Sequence, residues 1–275
     1  MKLINPAIET QIQTKIIANL LRKNYNAAAT HILAILNELY TTIPDNKRVS
    51  FGRVYTIQEL SKQLFSNLTE TNSPLYTVAS ALFKKSINSK TRGVALGILS
   101  LYGTKHYAQV LPFFEASASS PDWDMREFAQ LFFRKIIQNN PDKAKTFLLK
   151  LAVSKDANAR RFVSETLRPV KENQWFYKQP DYPLSVLRLL FKEGSAYPRT
   201  SVGNNLSDLA RRQPELVFEL VKELVESGDR NSYWIAYRAC RNLVKADPAR
   251  VMILLRVDEY KYKQRVHRRS DYPRN

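Results

Sequence analysis

Three acidic residues stand out by their surroundings: Glu127 in DWDMREFAQLFFRK, Glu165 in ARRFVSETLRP and Asp208 in SVGNNLSDLARR, each flanked by arginines and apolar residues. They are spaced by 38 and 43 residues. Carboxylates gathered at one place can stabilise a developing positive charge and accept the proton of an attacking water, the division of labour used in hydrolysing glycosidic bonds. No metal or cofactor is required for that chemistry. Trp123 lies four residues before Glu127 and so on the same face of a helix, and Trp175 and Phe176 follow the Glu165 segment. The π face of an aromatic ring attracts positive charge, so either tryptophan could pack against a sugar or a cationic base.

Each of these positions also has a plainer reading. Glu165 sits among Arg160, Arg161 and Arg168, and an acid at helical spacing from arginines can be an ordinary surface ion pair. Asp208 can bond to the backbone of its own helix, and Glu127, beside Arg126, can lie on a solvated face. Trp123 and Trp175 can pack between helices, as large aromatics do in cores. Trp234 and Tyr237 read first as core or groove wall.

The elements that must carry these residues are helices. The chain of 275 residues has only 7 glycines, and the alternating β-branched runs that mark hairpins are missing. Helical apolar spacing runs through Pro6 to Tyr40 with a break near Lys23 and Asn24, then through Tyr55 to Phe65, Leu75 to Phe83 and Thr91 to Tyr102. The polar segment Thr42 to Arg53, with Pro44 and Gly52, reads as a loop between helices. Further on, apolar segments opened by proline recur at Pro141, Pro183, Pro214 and Pro248, at spacings of 42, 31 and 34 residues. Proline suits the first turn of a helix, where its missing N–H is harmless. Before each lies a longer, more polar helical segment: Asp122 to Gln138, Asp156 to Val170, Thr200 to Arg212 and Asn231 to Lys245.

Helix pairs recurring at that period predict an all-α fold, a right-handed α-solenoid of HEAT-like or armadillo-type repeats filling residues 1–257 as one domain. Its concave surface would be lined by one helix of each pair. The acid spacings match the repeat, so stacking would bring all three carboxylates near one place on that surface. Residues 258–275 read as a basic, flexible tail: the segment from Arg256 holds 7 Lys or Arg against 3 acids and lacks a helical apolar stripe.

Charge narrows the partners. Lys+Arg number 43 against 25 Asp+Glu, a net charge of +18, while 44% hydrophobic and 11% aromatic residues supply a real core. Arg126, Arg134, Lys135, Arg160, Arg161, Arg168, Arg199, Arg211, Arg212, Arg238 and Arg241 fall on the polar helices or their ends, where they could meet phosphates along a groove. For any single one of them a solvated helix face remains the simpler reading.

Other chemistries find no support. Phosphate loops, dinucleotide-binding fingerprints, HExxH and nucleophile elbows are missing from the sequence. One cysteine, Cys240, and three scattered histidines (His31, His106, His267) do not make a metal centre, and Cys240 reads as a small buried residue. The apolar runs are too short to span a membrane, and the N-terminus lacks a secretion signal. A cytoplasmic, nucleoid-associated monomer is the expectation.

Three runs carry a family resemblance: EFAxxF at Glu127 to Phe132, RRxxSExxRP at Arg160 to Pro169, and NxLxDLA at Asn204 to Ala210. In order and spacing this chain resembles the HEAT-like DNA alkylation repair glycosylases, nearest the AlkC branch, over roughly Pro121 to Leu255. The resemblance implies hydrolysis of the N-glycosidic bond of cationic alkylated bases such as N3-methyladenine, with the helical array clasping duplex DNA. It carries Glu127, Glu165 and Asp208 over as the catalytic or sugar-facing acids. Trp175 stands about two residues further from the RP dipeptide than in the AlkC-like pattern and lacks the preceding proline. Trp123 with Glu127 is similar to the AlkD-like arrangement apart from the longer acid. Some members of that superfamily bind unusual DNA structures without excising a base, so a non-catalytic DNA-binding module is the alternative, and a protein-binding scaffold a third.

Overall fold

In the computed structural model, which describes residues 3–271, helix starts recur on a regular beat. Asn88, Asp122, Asp156 and Asp229 each accept a backbone N–H of the following turn through the side chain. That contact satisfies one of the amide donors a helix leaves orphaned. Ser195 opens a fifth helix in the same series, and the five positions are 34, 34, 39 and 34 residues apart.

The chain divides into two compact units, Met1–Pro141 and Asp142–Asn275, where the sequence reading drew one domain. In the first, α1 (Pro6–Gln11) passes through a π-helical stretch (Ile12–Ile17) into α2 (Ala18–Leu21). The chain then breaks at Lys23, whose φ is 59°. Then come α3 (Tyr25–Thr42), α4 (Asp45–Glu70), α5 (Leu75–Lys85), α6 (Ser89–Gly103), α7 (Tyr107–Ala118) and α8 (Trp123–Asn139). Helices α4, α6 and α8 stack side by side, and α5 and α7 cover them.

The loop expected over Thr42 to Arg53 is largely helix: only Ile43 and Pro44 separate α3 from α4. Pro44 precedes the first turn and Asp45 supplies a negative charge there, both favourable at a helix start. Gly52, read as a loop signal, stands inside α4 because the Tyr40 ring lies against it. A Cβ there would run into the Tyr40 ring.

Past α9 (Pro141–Ala152) the second unit repeats the arrangement with α10 (Ala157–Thr166), α11 (Asp181–Leu187), α12 (Ala196–Leu209), α13 (Pro214–Glu226), α14 (Arg230–Leu243) and α15 (Pro248–Leu255). Each expected proline falls in the first turn of its helix. A 3-10 segment, Lys171–Tyr177, joins α10 to α11. Helices α10, α12 and α14 form the stacked layer, with α13 against α14. Side chains tie the layer together: Asn205 Nδ2 donates to the Ser164 carbonyl at 2.9 Å and Asn242 Nδ2 to that of Ser207 at 2.7 Å. The architecture is the all-α helical repeat that the periodicity predicts.

The C-terminal segment differs from the expectation of a flexible tail. Glu259–Tyr262 (β1) and Arg265–Arg268 (β2) pair antiparallel, and Tyr260 is 0% exposed. Its ring stacks on Tyr237 of α14 at 4.6 Å, its hydroxyl donates to the Tyr237 carbonyl at 3.0 Å, and the Lys261 N–H donates to the Tyr237 hydroxyl at 2.8 Å. The alternation is present in Tyr260, Tyr262 and His267, but on aromatic rather than β-branched residues. Residues 272–275 of the tail lie outside the described residues.

Candidate active site

Two of the three acids meet in the second unit. Glu165 lies in the last turn of α10 and Asp208 in the last turn of α12, and each is only 5% exposed. Arg168 joins them. Its Nη1 reaches Glu165 Oε2 at 3.1 Å, while Nε and Nη2 donate to Asp208 Oδ2 at 3.0 and 2.5 Å. Burial works against the Arg168 charge, but the two carboxylates outweigh it and raise its pKa.

Further partners complete the cluster. The buried Ser201 hydroxyl donates to Glu165 Oε1 at 2.6 Å, and Arg161 Nη2 stands 3.9 Å from the same oxygen. Asp208 Oδ1 faces Arg211 at 3.4 Å and Arg241 at 3.5 Å, and the Tyr177 hydroxyl donates to the Asp208 carbonyl at 3.3 Å. Burial, followed by the Asp208 charge, raises the Tyr177 pKa.

The offset between the acids explains why an arginine is needed. Measured from the N-caps Asp122, Asp156 and Ser195, Glu127 is five residues along, Glu165 nine and Asp208 thirteen. Each acid thus sits one turn further along its helix than the last. One turn is about 5.4 Å of rise, and Arg168, one turn beyond Glu165, is long enough to span it. Ser201 precedes Asp208 by seven residues, two turns, and therefore shares its face.

Glu127 belongs to the first unit. It accepts a hydrogen bond from Gln130 Nε2 and lines a cavity of about 640 Å³ with Tyr40, Arg48, Lys90, Trp123 and Asp124. Trp123 is 55% exposed, so its indole is a wall of that cavity and not part of the core. Trp175 is half-buried, in contact with Phe176 at 4.4 Å and Tyr182 at 5.0 Å between ring centroids.

The arginines divide into two kinds. Arg126 and Arg160 stand four residues past their caps and fold back onto the carbonyls before the helix: Arg126 onto Ser120 and Pro121 at 2.6 and 2.9 Å, Arg160 onto Ser154 and Lys155 at 2.7 and 3.0 Å. Arg160 also pairs with the buried Glu193 at 2.6 Å. The sequence placed both among the phosphate contacts, and the structure engages them in the fold. Arg199, four residues past Ser195, folds back in the same way toward the Gly194 carbonyl at 3.4 Å and also lies over Trp234 at 4.9 Å; by contrast Arg211 is exposed, Arg161 lies over the Tyr197 ring at 4.3 Å, and Arg238 lies over Trp234 at 5.6 Å.

Ser201, Tyr177 and Tyr262 carry no signal in the sequence, and Asn204 enters there only as the first residue of the NxLxDLA run. The Tyr262 hydroxyl accepts from Arg241 Nη1 at 3.2 Å, and that bond lowers its pKa. Cys240 is buried, and burial pushes its thiol up. Among the described residues no group of three His, Cys, Asp or Glu side chains is placed to hold a metal, and no helix is long and apolar enough to cross a membrane.

Comparison with known proteins bears on the family and the fold. The family described as DNA alkylation repair enzyme matches residues 15–243. The uncharacterized protein YhaZ of Bacillus subtilis is 26% identical over 219 residues, covering 76% of this chain and 59% of that protein. Among solved structures, the fold is similar to the Pseudomonas fluorescens alkylpurine DNA glycosylase AlkC bound to DNA containing an abasic site analog, with a TM-score of 0.60 at 18% identity over 90% of this chain and 66% of that one. It is also similar to AlkD2 from Streptococcus mutans, with a TM-score of 0.54 at 18% identity over 75% of this chain and 98% of that one. The chain spans 59% of the length of its curated relative.

Proposed function

The chain belongs to the DNA alkylation repair enzyme family, and from that premise we propose that it is a DNA glycosylase acting, as a monomer, on cationic alkylated bases in duplex DNA. The observation that carries this reading is the Glu165–Arg168–Asp208 cluster, two buried carboxylates held one turn apart among arginines. An alkylated purine already bears positive charge. When its bond to the sugar carbon breaks, the bonding electrons leave with the base and neutralise it, and the sugar passes through an oxocarbenium-like state. Glu165 and Asp208 supply negative charge to that state and take the proton of the water that adds to it. Glu127 and Trp123 line the cavity of the first unit, where the indole face is open to a cationic group. Arg161, Arg199, Arg211, Arg238 and Arg241 meet the phosphates. Trp175, in contact with Phe176 and Tyr182, is the aromatic of the second unit that can pack against the sugar or the base.

A second reading is favoured by one feature of the same cluster. Asp208 already faces three arginines and Glu165 two, so the carboxylates could serve only to arrange cations for DNA. The module would then bind damaged or branched DNA without excision. The test is release of free methylated base from alkylated duplex DNA by the wild type and by folded Glu165→Gln and Asp208→Asn proteins. We expect release by the wild type and a loss of at least about a hundredfold in each variant, the scale of removing one electrostatic stabiliser, with DNA binding retained. Binding without release by the wild type sinks the catalytic reading and leaves the second.

A further inference from the structure

From Thr71 to Phe114 the chain carries five Lys or Arg and no acid. The tight turn from α5 into α6 lies within this stretch, with Lys84 and Lys85 before it and Lys90 and Arg92 after it. At its tip stands Ile87, 98% exposed. Single apolar residues are common on protein surfaces, but this one differs from its counterparts. It directly precedes the cap Asn88, whereas the residues preceding the other four caps of the series are Pro121, Lys155, Gly194 and Gly228. An apolar residue in that place ordinarily packs on the fourth residue of the helix. Here the fourth residue is Arg92, whose guanidinium lies over Phe83 at 4.6 Å, and Ile87 stays in solvent.

The turn is held on both sides. The Ser86 N–H donates to the Leu82 carbonyl at 3.1 Å, the Asn88 side chain accepts the Lys90 N–H at 2.9 Å, and the Asn88 carbonyl accepts that of Arg92 at 3.0 Å. Lys84 and Lys85 lie over the rings of Phe113 and Tyr25 at 5.8 and 4.9 Å. The apolar tip is thus presented on a fixed support while contributing almost no packing to the fold. Its surroundings are apolar as well. Lys90 lines the cavity of the first unit together with the exposed Tyr40, Val54 and Trp123, and Ser89 Oγ reaches Asp124 of the same cavity at 3.5 Å. An apolar point framed by cations fits a partner that is anionic outside and apolar within. Duplex DNA, with phosphate rails around stacked bases, is such a partner, and an inserted isoleucine can unstack a base step and kink the duplex.

We propose that Ile87 is a wedge that enters the base stack of DNA beside the cavity of the first unit. The wedge rests on the reading of this chain as a DNA-acting protein and adds to it a means of opening the duplex, which cations along a groove do not supply. Phosphate contacts leave stacking as it is, whereas a wedge disturbs it.

The test places 2-aminopurine, whose fluorescence rises when stacking is lost, in turn at each step of a short undamaged duplex bound by the full chain. The wild type is expected to raise the signal at one or more steps. Ile87→Ser should abolish the rise, and Ile87→Leu, which keeps the apolar bulk, should retain it. Because Ile87 carries no charge, Ile87→Ser should weaken binding several-fold while leaving the slope of log K against log salt unchanged. A side chain this exposed can be replaced without unfolding the protein, which a thermal melt checks, and if Ile87→Ser is misfolded then Ile87→Ala decides. No rise with DNA-bound wild type, or an equal rise with the folded variant, overturns the proposal. An equal rise accompanied by loss of binding to anionic phospholipid vesicles would place Ile87 at a membrane surface and overturns it too. Base release from alkylated duplex by the wild type without the rise leaves the glycosylase standing and removes the wedge. A rise that depends on Ile87 without base release leaves the wedge and removes the glycosylase, and a wild type that binds no DNA overturns both.

Discussion

Arg168 decides how the candidate acids behave. It is 28% exposed at the side chain, while Glu165 and Asp208 are nearly sealed, and removing one partner of such a cluster strands the others. Arg168→Ala is expected to destabilise the protein by about 3 kcal/mol, measured by chemical denaturation, and Arg168→Lys to recover only part of that because an ammonium cannot fork across two carboxylates. A midpoint unchanged in Arg168→Ala would show that the cluster contributes nothing to the fold. The positions of Glu165 and Asp208 could be read from the sequence because acids between arginines and apolar residues are conspicuous. Their joint partner could not, since Arg168 lies 40 residues from Asp208 and nothing local signals a bridge of that length. Cys240 illustrates the opposite case: a single thiol without a partner already reads as packing. With burial raising its pKa, the thiolate that reagents attack is scarce. The native protein should therefore resist alkylation at neutral pH and react only on unfolding; prompt labelling of folded protein would contradict its burial.

The repeating element is a helix opened by a cap, with an arginine four residues later folded back onto the preceding carbonyls, as at Asp122 with Arg126 and Asp156 with Arg160. In the second case Glu193 completes it. Burial raises the Glu193 pKa, but hydrogen bonds from Arg160 and the Ser195 backbone outweigh burial and leave it below the usual glutamate value. A carboxylate whose folded pKa is depressed stabilises the fold in full above its unfolded pKa. That stabilisation drains as the pH falls through the lower folded value. Glu193→Gln should therefore lose stability at neutral pH and show a flatter acid limb in thermal melts across the carboxylate range; an acid limb as steep as that of the wild type would remove Glu193 from the account. Proline-led helices were legible because ring geometry acts locally. The start of α4 was not, because Gly52 answers to Tyr40 on another helix. The hairpin was missed for a related reason: its alternation rests on tyrosines that acquire meaning only where Tyr237 is waiting for them.

At the scale of the molecule, two compact units follow one another along the chain, each stacked from neighbours in sequence, so stability is expected to be nearly a sum of local terms. Tyr260→Ala removes a fully buried ring from the hairpin and should weaken that anchor by about 3 kcal/mol. Hydrogen exchange should rise in the hairpin and α14 while residues 3–141 keep the wild-type pattern. A uniform rise over the whole chain would mean that the two units unfold as one. The step of one turn between Glu165 and Asp208 bears on how such a chain can evolve. Caps and back-folded arginines keep nearly constant offsets, so a repeat can be duplicated or exchanged with a neighbour and still pack. The acids keep no such offset: a copy of α10 set in place of α12 would bring its carboxylate a full turn short of the guanidinium that now receives Asp208. Recombination can lengthen this scaffold freely, whereas the acid pair has to be rebuilt residue by residue each time.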